Sequence, residues 1–108
     1  MEILSIILGL VTAHIFGDYV FQSLYIAERK NKDVYHLIVH CWIYTFCIWC
    51  ALTVLGRFNI YIILLVFISH MIIDYIKPIT SKKVGEKAYF LDQMLHYIII
   101  TLVFILIR

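Results

Sequence analysis

The stretch "AHIFGDYVFQ", residues 13–22, decides how this chain is read. It continues without a break from the apolar run "MEILSIILGLVT", so His14 and Asp18 stand in a segment long and greasy enough to cross a bilayer. An ionisable side chain in hydrocarbon is costly, and one that persists there faces a bundle interior or a partner. On a helix, a spacing of four places both groups on one face, a turn apart. Leucine would cost nothing at either position, so the pair asks for a reason.

Working outward, the composition supports the membrane setting. The chain has 108 residues and is 64% hydrophobic, with mean hydropathy +0.96. A soluble domain of this size cannot hide that much apolar surface. The class is integral membrane protein, one domain over residues 1–108. The first apolar run lacks a small-residue cleavage site and reads as a retained helix. Cys41, Cys47 and Cys50 all fall in one apolar run. An odd number there argues against a disulfide framework and for small apolar fillers.

Four runs reach the roughly 20 residues a spanning helix needs: about 2–22, 35–56, 58–77 and 89–107. The charged "SLYIAERKNKD" ends the first, Gly56 in "GRFN" turns the second, and "KPITSKKVGEK" with Pro78 and Gly85 separates the last two. Asp33 and Ser81 are candidate helix caps. Basic residues gather in loops one (Arg29, Lys30, Lys32) and three (Lys77, Lys82, Lys83, Lys87), against Arg57 and Arg108 on the other side. The positive-inside rule puts loops 23–34 and 78–88 in the cytoplasm and both termini outside, in a multi-pass protein of the cell (inner) membrane. The basic loops suit anionic headgroups, and nothing in the pattern suggests nucleic acid.

Every long run carries one polar pair at spacing i, i+4: His14 and Asp18, His36 and His40, His70 and Asp74, Asp92 and His96. Adding 56 to the first four positions gives the last four, and "HIFGDY" and "HMIIDY" share Tyr19 and Tyr75. This is the signature of a tandem helix-pair repeat, about 1–56 and 57–108. Two helices per unit return the chain to its starting side, so the units are parallel. The expected fold is an all-α four-helix transmembrane bundle. At ~1.5 Å per residue the eight groups share one layer, within roughly 14 Å of the cytoplasmic helix ends.

Carboxylates and neutral imidazoles are ligands for zinc, manganese or iron. Four-helix bundles build two-metal centres from inward side chains, and eight candidate ligands suit two ions, or one ion with residues that orient its ligands. The metal set expected is therefore His14, Asp18, His36, His40, His70, Asp74, Asp92 and His96. Interhelical hydrogen bonding and a proton or ion relay are the alternatives for the same residues. Gln22, Gln93 and Lys77 lie close by in sequence and can orient ligands or hold an anionic group; for Lys77 the plainer role is snorkelling to the headgroups. Tyr19, Tyr35, Tyr75, Tyr89 and Tyr97 fit an interfacial belt, and Gly17 fits close helix packing.

The ordered elements "AHIFGDYVFQ", "HLIVH", "SHMIIDYIK" and "LDQMLH" resemble the DUF3307 family of small membrane proteins over nearly the whole chain. The "HxxGDxxxQ" element carries onto His14, Gly17, Asp18 and Gln22, and "LDQxLH" onto Asp92, Gln93 and His96. A looser resemblance, to membrane-bound metal-dependent hydrolases, implies hydrolysis by analogy. The leading expectation is a metal-dependent hydrolase of a lipid-linked or amphiphilic substrate at the cytoplasmic leaflet. Asp74 or Asp92 would serve as general base, and Lys77 or Gln93 would stabilise developing negative charge. The competing classes are metal transport, sensing or a membrane-complex subunit, for which a homo-oligomer would be needed, and a non-haem diiron oxidase.

Overall fold

The computed structural model describes residues 2–85 and 87–108, with side chains described outside residues 79–84. All the regular structure among them is helical. The elements are α1 (Glu2–Ile15), a π-helical turn (Phe16–Val20), α2 (Leu24–Arg29), α3 (Val34–Val54), α4 (Ile60–Val84) and α5 (Lys87–Ile107). Four stretches are long and apolar enough to cross a membrane: Glu2–Val20, Val34–Val54, Ile60–Pro78 and Lys87–Ile107. These match the four expected runs to within a few residues. At ~1.5 Å per residue, a 21-residue helix such as α3 is about 31 Å long, the thickness of a hydrocarbon core.

The long helices form a closed ring. α1 packs on α3, α3 on α4, α4 on α5, and α5 returns to α1. In lipid the hydrophobic effect does not drive such packing, so close van der Waals fit must do it. Gly17 shows how close. A Cβ there would stand 2.9 Å from Tyr44 Cδ2 and 3.0 Å from Tyr44 Cα, so the π turn lies against the backbone of α3.

The interior has two unlike halves. Toward the 55–59 turn and the chain termini it is dry: Ile6, Leu10, Ile48, Leu52, Val66 and Val103 are all buried and interlocked. Arg57 ties this end together. Its Nη1 donates to the Ile107 carbonyl at 2.8 Å, and its Nη2 pairs with Glu2. The other half holds the polar layer.

The caps follow from local chemistry. Asp33 Oδ1 accepts the Tyr35 N–H at 2.9 Å and starts α3, as expected. Ser23 Oγ accepts the Ile26 N–H at 3.2 Å and starts α2, a short helix inside the expected loop 23–34. Gly56 and Gly85 take φ of +71° and +64°, the left-handed values that end a helix.

Two expectations need correcting. Pro78 does not end α4, and loop 78–88 does not exist as such: the backbone is helical to Val84 and α5 begins at Lys87. Ser81, the other candidate cap, lies within the backbone span of α4, and its side chain is outside the described residues. A proline at this position removes one helical bond, to the carbonyl of Asp74, and membrane helices tolerate this where side chains or water satisfy the freed group. Gly85, not Pro78, is the stop.

Candidate metal centre

The layer is built from all four long helices. Asp18 comes from the π turn, His40 from α3, His70 and Asp74 from α4, and Asp92 and His96 from α5. All six are buried. One ligand atom each from Asp18, His40, His70 and Asp74 lies within 4.8 Å of the others; so do atoms of Asp18, Asp92 and His96. Asp18 is common to both groups.

The tetrad has the dimensions of a coordination shell. His40 Nε2 lies 3.0 Å from His70 Nε2, 3.0 Å from Asp74 Oδ2 and 3.5 Å from Asp18 Oδ1. His70 Nε2 lies 3.5 Å from Asp74 Oδ2 and 3.8 Å from Asp18 Oδ1. Four tetrahedral ligands at zinc distances stand about 3.3 Å apart, so these separations bracket the requirement.

His96 adds the second group. Its Nδ1 lies 2.7 Å from the Asp92 carbonyl, which can only accept, so Nδ1 carries the hydrogen. Nε2 of a neutral ring then bears a lone pair. It is buried without a hydrogen-bond partner and points at Asp74 Oδ1, 3.6 Å away. Two acceptors facing each other in a buried site call for a proton or a metal ion between them. Asp92 Oδ1 is likewise buried and unpartnered, 3.6 Å from His96 Nδ1. A second nitrogen held by a backbone carbonyl is how proteins usually aim a metal-bound imidazole.

His14 stands beside these groups rather than in them. Gln93 Nε2 donates to Asp18 Oδ2 and Asp92 Oδ2, both at 3.1 Å, which fixes the amide's orientation. Gln93 Oε1, 3.2 Å from His14 Nε2, must then accept, so His14 Nδ1 accepts from the Tyr44 hydroxyl at 2.7 Å. His14 thus steers two carboxylates through Gln93. The cause is the backbone: the i→i+5 bond from Phe21 N–H to the Phe16 carbonyl, 2.9 Å, under-winds the segment and breaks the helical register between His14 and Asp18.

His36 is outside the layer. It sits in the first turn of α3, its Nδ1 2.8 Å from Asp33 Oδ2 and its ring against Tyr25. The helix start leaves it half-buried and apart, so the structure brings together six of the expected eight, with His14 adjoining. The Tyr35 N–H and then the His36 ring hold the Asp33 carboxyl below the usual carboxylate range.

Lys77 Nζ lies 3.5 Å from Asp92 Oδ2, and Gln22 is partly buried with its Oε1 unpartnered. Two participants escaped the sequence reading. Tyr44 stacks on His70 with ring centroids 3.9 Å apart besides holding His14. It follows His40 by four, so the same spacing rule could have found it. Lys30 reaches Asp74 Oδ2 at 3.4 Å and is almost fully buried. Its position in a basic loop gave no sign of that. Tyr19, Tyr35, Tyr75, Tyr89 and Tyr97 are exposed, as a belt would be, with Tyr19 and Tyr89 hydroxyl to hydroxyl. Cys41, Cys47 and Cys50 are all free thiols.

The molecule is thus an all-α chain with four candidate membrane spans and a buried His/Asp cluster that can hold metal. Its sequence matches the family model described as "Protein of unknown function (DUF3307)" over residues 6–108, and the chain belongs to that family. No curated protein and no solved structure matches it.

Proposed function

We propose that the layer is a two-ion metal centre and that the protein is a metal-dependent hydrolase of an amphiphilic, phosphate-bearing substrate at the cytoplasmic leaflet. The observation that carries the metal is His96, whose bare Nε2 faces a carboxylate oxygen inside the bundle. His40 and His70 would hold one ion and His96 and Asp92 the other, with Asp18 and Asp74 reaching both. Bound ions of this kind polarise a phosphoryl group and lower the pKa of a water. Lys30 balances Asp74, Lys77 balances Asp92, and Gln93 with His14 keeps Asp18 and Asp92 oriented. With two divalent ions the positive charges outnumber the three carboxylates, so the loaded centre would attract an anion.

Access supports hydrolysis over transport. A cavity of about 340 Å³ opens beside Lys30, Lys32, Asp74 and Pro78 and gives the centre a polar mouth. On the far side the interior is dry through Ile6, Leu10, Leu52 and Val103, and no Asp, Glu, His, Lys or Arg side chain belongs to that core among the described residues. The charge bias of the loops supports a cytoplasmic mouth. The two-unit reading, 1–56 and 57–108, draws support from matching pairs: Asp18–His40 at 3.5 Å and Asp74–His96 at 3.6 Å.

The test is purified chain with measured zinc, manganese and iron content, assayed on phospholipids and polyprenyl phosphates. We expect close to two ions per chain and turnover that His96→Ala abolishes. Metal-free protein prepared without chelator would remove the centre. Full loading with no turnover on any substrate would remove the hydrolase.

A further inference from the structure

Three hollows on the outer surface face lipid. The one between α1 and α3, about 540 Å³, is lined by residues such as Leu8, Phe16 and Phe46 and meets no Asp, His, Lys or Arg. The one beside Trp42, Trp49 and Phe58, about 260 Å³, meets none either. The third runs between α4 and α5, about 380 Å³, over Ile72, Ile76, Leu91 and Met94. It alone of these three ends on ionisable groups, Lys77 and Asp92. Asp92 then continues inward to His96 and Asp18. The groove therefore joins hydrocarbon to the metal layer through one ion pair.

We propose that this groove seats the tail of a single phosphate-headed lipid, with the head on Lys77 at the edge of the layer. The proposal rests on the metal-centre reading above and names the substrate it would take. Depth agrees with chemistry. Lys77 stands next to the end of its membrane span and Asp92 is the sixth residue of α5, so the pair lies where headgroups meet acyl chains. Ile72 and Met94 lie deeper, where a tail belongs. The Lys77 ammonium has three donors, and Asp92 Oδ2 at 3.5 Å takes one at most. A phosphate can satisfy the others while offering further oxygens toward the ions; a choline-type cation would meet Lys77 as a like charge. A tail held in a wall groove also spares the lipid from entering the bundle whole.

The experiment uses the full chain in phosphatidylcholine nanodiscs, with a trace of phosphatidic acid carrying a diazirine in its acyl chain. After irradiation, labelled peptides are mapped by mass spectrometry, in metal-loaded and chelator-stripped samples. Labelling is expected over residues 72–76 and 91–95, suppressed by unlabelled phosphatidic acid but not by inorganic phosphate or oleate. Loss of one interfacial charge contact of about 1 kcal/mol predicts about fivefold less labelling in Lys77→Gln. Arg29→Gln, on the same side but off the groove and stacked on Tyr25, should leave groove labelling unchanged, and Ile76→Trp, which fills the groove, should abolish the signal while metal content persists. Equal labelling by a phosphatidylcholine probe, labelling unchanged in Lys77→Gln and Ile76→Trp, or equal competition by oleate would overturn the proposal. The two readings fail separately. Groove labelling without turnover on any lipid sinks hydrolysis alone. Hydrolysis of water-soluble phosphate esters without groove labelling sinks this proposal alone.

Discussion

His14 and Asp18 in the first span and His70 and Asp74 in the third are the same two residue types at the same spacing, yet the fold uses them differently. In α4 the backbone is regular between them, and His70 Nε2 and Asp74 Oδ2 meet at 3.5 Å as members of one tetrad. In the first span a π turn intervenes, Asp18 alone enters the tetrad, and His14 turns to Tyr44 and Gln93. Even the irregularities differ: one helix is under-wound at Asp18, while the other loses a bond to the Asp74 carbonyl at Pro78. Spacing specifies a shared face only while the helix stays α, and one extra residue per turn is enough to send one member of a pair into the tetrad and leave the other beside it.

The sharpest way to break this comparison is to remove each histidine. His70→Ala should lower metal affinity by more than about 100-fold, while His14→Ala, acting through Gln93, should cost about 10–100-fold. Competition titration against a chelator, with elemental analysis, reads both. Equal losses would mean that His14 is a ligand after all and that the two halves are alike.

The next largest effect concerns the π turn itself. Gly17→Ala drives a methyl to 2.9 Å from Tyr44 Cδ2 and 3.0 Å from its Cα, and backbone cannot yield cheaply. We expect destabilisation of about 1–3 kcal/mol, with weakened metal binding because Asp18 moves too. Gly9→Ala is the control: its methyl would meet only the Leu55 side chain, at 3.3 Å, which can give way. Thermal unfolding in detergent, run with both variants, sharpens the contrast; indistinguishable midpoints would show that the close approach at residue 17 does not matter.

The smallest effect lies outside the layer, at Asp33. Its carboxyl titrates below the usual range because the Tyr35 N–H binds the charged form. Its contribution to the start of α3 is therefore present above the ordinary carboxylate range and fades as pH falls through the lowered value. Protection of the Tyr35 amide from exchange, taken relative to the intrinsic rate at each pH, should fall on acidification in the wild type and be low and less pH-sensitive in Asp33→Ala, with metal content unchanged. A loss of metal in that variant would bring His36 back into the centre.

Much of this molecule is legible in its sequence, for identifiable reasons. Span length and apolar content fix four helices, because hydrocarbon leaves the backbone few options. The burial of Asp18, His40, His70, Asp74, Asp92 and His96 in one layer is legible because ionisable groups in an apolar helix turn toward the bundle interior. His36 lies apart from that layer, because a residue in the first turn of a helix obeys the spacing rule yet sits at the end of the bundle. Lys30 and Tyr44 are missed for opposite reasons: a loop lysine has no periodicity to expose its burial, and a tyrosine among many aromatic neighbours draws no notice. The π turn leaves no mark in composition at all, and Pro78 suggests a stop that the Asp74 carbonyl does not enforce.

The dry half of the bundle has an electrical consequence. A membrane voltage does work of about 2.3 kcal/mol per elementary charge per 100 mV, but only over the distance across which it falls. In a bilayer that fall would be concentrated between the Arg57 end and Tyr44, where the buried side chains are aliphatic and interlocked. Under the proposed reading, an ion entering from the Lys30 side would cross little of it. The affinity of such a centre would then be nearly independent of the potential.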